Sequence, residues 1–306
     1  MTLDTNPQNP TTPIPAPTRS NRALLLAPLV FLTLWSGGYP VGKVALRYAD
    51  PMTLLATRYA AAFLLLLPVS LYLAAPLPRR RDWLQIAFIG VLIQGGYFGF
   101  SYQAMNFGVS AGAVALIVSM QPVLVGLLAP ALVGERVGVR RWLGLVLGLL
   151  GAGLVIYARS RLEVTSLAGV AFAVAGLACM TLATLLEKRF AMAVHPITAN
   201  LIQYAAGIAA ILPFALLGEP MHIAWTPTFA AAFGYLVIGN SIIAITLLLA
   251  MVRAGEAARV SALMFMVPPG AALIAFFLLG EAMPPLAWAG MAVAVAGVLL
   301  ATMPTK

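Results

Sequence analysis

From Ala23 to Met303 the chain alternates apolar runs of 18 to 25 residues with short polar joints. Each run is long enough to cross a hydrocarbon core of about 30 Å as a helix rising about 1.5 Å per residue. Lone strands would leave backbone groups unpaired in lipid, so the runs predict transmembrane helices. The predicted spans are 23–43, 53–74, 83–105, 109–133, 141–158, 166–186, 197–218, 228–251, 257–280 and 285–303. The expected fold class is therefore an all-α membrane protein with ten transmembrane helices. The narrowest joints fall near Asn106 to Ser110 and near Ala282 to Pro284.

The pattern also contains itself twice. At an offset of 146, Met120 falls on Met266, Pro122 on Pro268, Gly134 on Gly280, Glu135 on Glu281, Trp142 on Trp288 and Gly151 on Gly297. At 145, Lys43 falls on Lys188, Pro51 on Pro196, Tyr59 on Tyr204 and Pro68 on Pro213. The chain thus divides into an N-terminal tail (1–22), a first repeat of five spans (23–160) and a second repeat of five (161–306). An odd number of spans per copy makes the second copy enter the bilayer from the opposite side, giving two inverted five-helix repeats. Two such halves can exchange outward-open and inward-open shapes around a midplane site, as secondary transporters do. The competing reading is duplication kept for folding alone.

Composition agrees with lipid as the solvent: 62% of the 306 residues are apolar and 9% are charged, with a mean hydropathy of +0.97. The net charge of +9 could suggest nucleic acid, yet the basic residues sort by joint. With the N-terminus inside, twelve Lys and Arg lie on the inner side, among them Arg79, Arg80, Arg81, Arg140, Arg141 and Arg189. Four lie outside, namely Lys43, Arg47, Arg159 and Arg161. This bias predicts both termini in the cytoplasm of a bacterial-type inner membrane and excludes a nucleic-acid partner. The first 22 residues, rich in Pro, Thr and Asn, read as a disordered tail. Cys179 is the only cysteine and the two histidines, His195 and His222, fall in joints, so no metal site or disulfide is expected. No Walker loop, HExxH or nucleophile elbow is present, and neither enzyme chemistry nor a cofactor is expected.

Trp35, Ser36, Gly37, Gly38 and Tyr39, with a break at Pro40, form a small, polar and aromatic stretch in span one, unlike the Leu and Ala runs suited to lipid. Span three adds Gln94, Tyr97, Ser101 and Tyr102, span four Ser119 and Gln121, span six Thr181, and span eight Asn240 and Ser241. Intramembrane polar groups face a bundle interior or a cavity. Pro122 and Pro268 each remove a backbone hydrogen bond in mid-span and free a carbonyl. Together these residues predict a substrate cavity lined by spans one, three, four, six, eight and nine. The alternative is polar and small residues that only hold helices together.

Candidate coupling or gating residues are Arg58, Glu187, Glu135 and Glu281. Arg58 lies about 8 Å along span two from its outer end, close enough to snorkel to the interface, and this reading outweighs attraction of a substrate carboxylate. Glu135 and Glu281 each follow a glycine and precede a helix start, which suits an anchoring role. Glu187 becomes a proton site only if span six extends beyond residue 186.

The segment Ala104 to Tyr157, its copy from Ala250 to Ala301, and the opening WSGGYPVGK from Trp35 resemble the EamA branch of the drug/metabolite transporter superfamily over nearly the whole chain. Two departures separate the halves: Gln203 stands where the first half has Arg58, and Pro269 follows Pro268. The resemblance implies export of amino acids or related small metabolites, with a small-molecule substrate, the lipid bilayer as environment and a monomer or homodimer as the unit. An importer or exchanger of sugars or other solutes, and a non-transporting scaffold, are the alternatives.

Overall fold

The structure is a computed structural model that describes residues 22–73, 77–109, 111–134, 138–159, 166–190, 194–251, 263–279 and 284–302. Apart from Arg22, the predicted tail lies outside these residues, as do Glu135, Glu281 and the start of span nine. Regular structure among the described residues is helical, with a single isolated β-bridge between Ala49 and Ile223. Helix α1 is Arg22–Ala45, α2 Pro51–Tyr72, α3 Arg80–Asn106, α4 Ala111–Ser119 and α5 Gln121–Val133. Then follow α6 Val139–Arg159, α7 Leu167–Phe190, α8 Pro196–Gly218, α9 Pro227–Met251, α10 Val267–Leu279 and α11 Pro285–Thr302.

Local sequence explains where these helices begin and end. Pro51, Pro196 and Pro227 occupy first positions of α2, α8 and α9, where the missing N–H costs nothing and φ is already helical. Thr226 caps α9 by accepting from the Phe229 N–H at 3.1 Å. Gly134 closes α5 at φ +73° and Gly108 follows α3 at φ +90°, a backbone region that a glycine enters without strain.

Six runs among the described residues are long and apolar enough to cross a membrane: Pro51–Tyr72, Arg80–Asn106, Ala113–Val133, Leu167–Phe190, Pro196–Gly218 and Pro227–Met251. Leu64, Leu71, Leu84 and Leu217 point outward and are largely exposed, as residues that meet lipid should be. The interior instead holds the aromatic side chains Phe31, Trp35, Tyr59, Tyr97 and Tyr204.

Packing repeats with the sequence. The mates α2 and α8 lie against one another, as do the mates α6 and α11. The contact of α3 with α7 has its counterpart in α9 with α1, and that of α5 with α7 in α10 with α1. Between α6 and α11 the backbones nearly touch: a Cβ on Gly144 would stand 2.5 Å from the Ala301 nitrogen and 2.7 Å from the Gly297 oxygen. Glycine-spaced faces here make a tight helix pair.

Several expectations change. Pro40 does not end α1, which continues to Ala45. Span six continues to Phe190 in α7, so Glu187 sits inside the helix, buried. Pro122 is not mid-helix: span four breaks at Met120, and the proline falls in the first turn of α5. Pro268 likewise opens α10 after a 3-10 turn over Met264–Met266. Starting a fresh segment at the proline removes the clash with the preceding turn.

One pair of turns is tied across the halves. Asp50 N donates to the His222 carbonyl at 3.2 Å, Ala224 N to the Tyr48 carbonyl at 2.7 Å, and His222 N to Asp50 Oδ2 at 2.8 Å. Glu219, just past α8, accepts from Met52 N, Thr53 N and Thr53 Oγ1 at 2.8 to 2.9 Å. A carboxylate at the N-terminus of α2 satisfies amides that have no intrahelical partner and complements the helix dipole.

Candidate functional site

The structure departs from regular α-helix at two corresponding places, the π-helical segments Val91–Phe98 in α3 and Tyr235–Ala244 in α9. Shifting the first by 146 residues places it within the second. A π-turn widens the helix and leaves carbonyls available to other donors. Tyr59 donates to the Gln94 carbonyl at 2.7 Å, and Tyr204, its repeat mate, donates to the Ser241 carbonyl at 2.6 Å.

Beside these segments lies a cleft lined by Trp35, Gly38, Tyr39, Tyr97, Phe98, Ser101, Tyr102, Met105 and Asn240. Trp35 stacks on Tyr97 at 6.1 Å and 8° and packs against Phe31 and Phe98 at 5.2 and 5.9 Å. The Tyr39 and Tyr97 hydroxyls share a hydrogen bond of 2.8 Å. Glycines on α1 admit the neighbouring helices: a Cβ on Gly38 would meet Asn240 Nδ2 at 2.5 Å, and one on Gly42 the Tyr102 hydroxyl at 2.9 Å. The cleft measures about 20 Å³, room for roughly one water molecule.

Behind the cleft stands Arg58, fully buried. Its Nε donates to Ser241 Oγ at 2.6 Å, Nη1 to the Tyr102 hydroxyl oxygen at 3.2 Å and Nη2 to Asn240 Oδ1 at 2.6 Å. The guanidinium carbon lies 4.6 Å from the centre of the Phe98 ring, within cation–π range. Among the described residues every hydrogen-bond partner of this cation is neutral. The expectation of a snorkelling arginine is therefore overturned. The side chain turns inward because α9 offers two acceptors at its π-segment, which satisfies the guanidinium better than a distant interface.

Of the residues expected to line a cavity, Trp35, Tyr39, Tyr97, Tyr102 and Asn240 come together in the cleft. Ser241 binds Arg58 from behind it. Ser36, Gln94, Ser119, Gln121, Pro122, Thr181 and Pro268 are buried elsewhere and do not line it. Gln121 Nε2 donates to Thr184 Oγ1 at 3.0 Å, tying α5 to α7. Ser119 and Thr181 close on the carbonyls of Leu116 and Leu177 within their own helices. The lining comes from spans one, three and eight, without the residues expected from four, six and nine. Phe98 and Met105 complete the wall and carry no polar signal by which sequence could have separated them from lipid-facing residues.

The cleft belongs to one side of the repeat. At offsets of 145 and 146 the mates of Trp35, Tyr97, Ser101 and Tyr102 are Met180, Ile243, Leu247 and Leu248. Apolar, non-aromatic side chains stand at these mate positions, so the second half contributes Asn240 and Ser241 but not the aromatic wall.

The profile of the EamA-like transporter family matches residues 21–157 and again 167–303, each boundary of the second match 146 residues beyond the first. The chain is 29% identical over 279 residues to the "Probable terminal-alkyne amino-acid exporter" of Streptantibioticus cattleyicolor, covering 87% of this chain and 89% of that protein. It is 25% identical over 270 residues to the "Uncharacterized inner membrane transporter YedA" of Escherichia coli, covering 88% and 87%. A crystal structure 22% identical in sequence matches with a TM-score of 0.76 over 92% of this chain and 98% of its own, a likeness of fold. With the family profile spanning both halves of an all-helical, lipid-adapted fold, the chain belongs to the EamA-like transporter family.

Proposed function

We propose that this protein is a secondary exporter of amino acids or related small metabolites in a bacterial inner membrane, working by alternating access. The observation that carries the proposal is the aromatic cleft backed by a buried guanidinium, between helices that repeat across two halves. Trp35, Tyr39 and Tyr97 offer apolar ring faces, while Tyr102, Ser101 and Asn240 offer polar groups, a combination suited to a small amphipathic solute. The name of the Streptantibioticus relative points to the same class of cargo.

The reading takes ten transmembrane helices as two inverted five-helix repeats, the halves bounded at 23–160 and 161–306, with both termini cytoplasmic. The twofold occurrence of the family profile and the mirrored helix contacts support the repeat. The name of the Escherichia coli relative supports the inner membrane. The excess of Lys and Arg on one side supports the orientation. Cells expressing the protein should release amino-acid-like metabolites faster and withstand higher concentrations of toxic analogues than cells without it. Equal release and equal resistance across a broad panel would reject an exporter. A reporter fused after Lys306 should be active only in the cytoplasm.

A further inference from the structure

Hydrogen-bond capacity around the cleft is unbalanced, and the imbalance specifies a ligand. Arg58 uses three of its five N–H groups. Because it donates to the Tyr102 oxygen, the Tyr102 proton is directed away from it, and this proton has no acceptor among the described residues. Tyr39 and Tyr97 share one hydrogen bond, so one of their two protons is also left over. The Ser101 hydroxyl, 2% exposed, has no hydrogen-bond partner among the described residues. Donors are in surplus, a positive charge stands behind them, and among the described residues no carboxylate lines the cleft.

A buried cation in a membrane protein is costly, because neither lipid nor packed protein solvates a charge as water does. Its neutral partners satisfy hydrogen bonds but leave the charge uncompensated. Both deficits are met by one kind of group, an anion with several lone pairs. From these observations we infer that the cleft recognises its substrate through a carboxylate, received by the Tyr102 and Ser101 hydroxyls and the remaining N–H groups of Arg58, while the Trp35 and Tyr97 ring faces take the apolar part. The inference rests on the exporter reading and names the chemical class of its cargo. Since the cleft has room for about one water molecule, the carboxylate enters when α1 draws away from α3 and α9.

The asymmetry of the repeat agrees. Gln203 occupies the mate position of Arg58, so the charge is confined to the half that builds the aromatic wall. A charge needed only to join helices would have no reason to face surplus donors.

The test uses the full chain in detergent and in proteoliposomes with four probes: phenylalanine, 3-phenylpropanoate, phenylalanine amide and phenethylamine. Thermal stabilisation reads binding and counterflow reads transport. Both carboxylates should bind at least about tenfold more tightly than the amide or the amine, since they alone bring a negative charge to the guanidinium. Arg58→Gln should lower carboxylate affinity by about tenfold or more and affect the amide, which carries no negative charge, far less. Tyr102→Phe, which keeps the guanidinium, should weaken the carboxylates selectively and serves if Arg58→Gln does not fold. Equal binding of all four probes, unaltered by either substitution, would overturn the carboxylate site even with transport intact. Selective carboxylate binding without any counterflow would instead overturn the exporter reading and support the site. Absence of both binding and counterflow would overturn both.

Discussion

Tyr59 and Tyr204 pack ring against ring at 5.5 Å, and each donates its hydroxyl to a carbonyl in the π-helical segment of its own half. They are repeat mates, so the contact lies where the two halves meet. Each hydroxyl pins the widened part of one helix, α3 for Tyr59 and α9 for Tyr204. The cleft and the Arg58 cluster hang from those same segments through Tyr97, Phe98, Asn240 and Ser241.

Removing the Tyr59 hydroxyl takes the side-chain donor from the buried Gln94 carbonyl, which costs about 1–3 kcal/mol, whereas the Ser241 carbonyl keeps Asn200 Nδ2 at 3.2 Å when the Tyr204 hydroxyl is lost. Both Tyr59→Phe and Tyr204→Phe should therefore lower the unfolding temperature in detergent, Tyr59→Phe by more. Tyr157→Phe, at a largely exposed ring, should not. Unchanged stability in both buried variants would mean that the π-segments hold without them.

Much of this was legible in the sequence, for identifiable reasons. The offset of 146 was visible because proline, glycine and tryptophan at helix ends and packing faces tolerate few replacements. Trp35, Tyr39, Tyr97, Tyr102 and Asn240 stood out because lipid penalises polar groups. Phe98 and Met105 did not, since an apolar side chain reads the same whether it faces lipid or a ligand. Arg58 reads as a snorkelling residue because helix rise gives its distance along the helix but says nothing of its partners. Asn240 and Ser241 lie more than 180 residues away, and only their π-segment brings two acceptors within reach. Ser119 and Thr181 bond to carbonyls of their own helices, a use that sequence does not distinguish from lining a cavity.

The glycine pairing of α6 and α11 predicts two opposite outcomes from one kind of change. Gly144→Ala places a methyl against the backbone of Ala301 and Gly297, where no side chain can yield, and should destabilise by about 1–3 kcal/mol. Gly153→Ala, in the same helix with open space at its Cβ, should instead stabilise by up to about 1 kcal/mol through helix propensity. Thermal unfolding in detergent compares them. Equal effects would show that α6 and α11 do not depend on backbone contact.

The clasp between the α1–α2 and α8–α9 turns makes a kinetic prediction. Ala49 and Ile223 are bridged directly, and Glu219 binds the first turn of α2 with three hydrogen bonds. Access from that side requires these contacts to part. Cysteines at both bridge positions, in a Cys179→Ala background, should cross-link under oxidation and abolish counterflow, with recovery on reduction. Glu219→Gln should loosen the clasp and speed hydrogen exchange at the Met52 and Thr53 amides. Full counterflow in a fully cross-linked sample would exclude opening at this face.

Driving force can be argued from which groups are able to titrate. Proton-coupled carriers use a carboxylate or histidine whose protonation changes with conformation in a site of low dielectric. The cleft is lined by aromatic, hydroxyl, thioether and amide groups, with no carboxylate or histidine among the described residues. Glu187 is the buried acid among the described residues, but it belongs to the last turn of α7 and lies outside the cleft lining. Transport should accordingly run downhill, or be driven by the charge that the substrate itself carries. In proteoliposomes, counterflow should proceed at the same rate with and without a pH gradient, and Glu187→Gln should retain that rate. A membrane potential should still alter the flux of a net-charged substrate while leaving a zwitterion unaffected. Uphill accumulation driven by the pH gradient and lost in Glu187→Gln would reverse this conclusion, making Glu187 the coupling group and placing proton exchange at the end of α7, away from the carboxylate site.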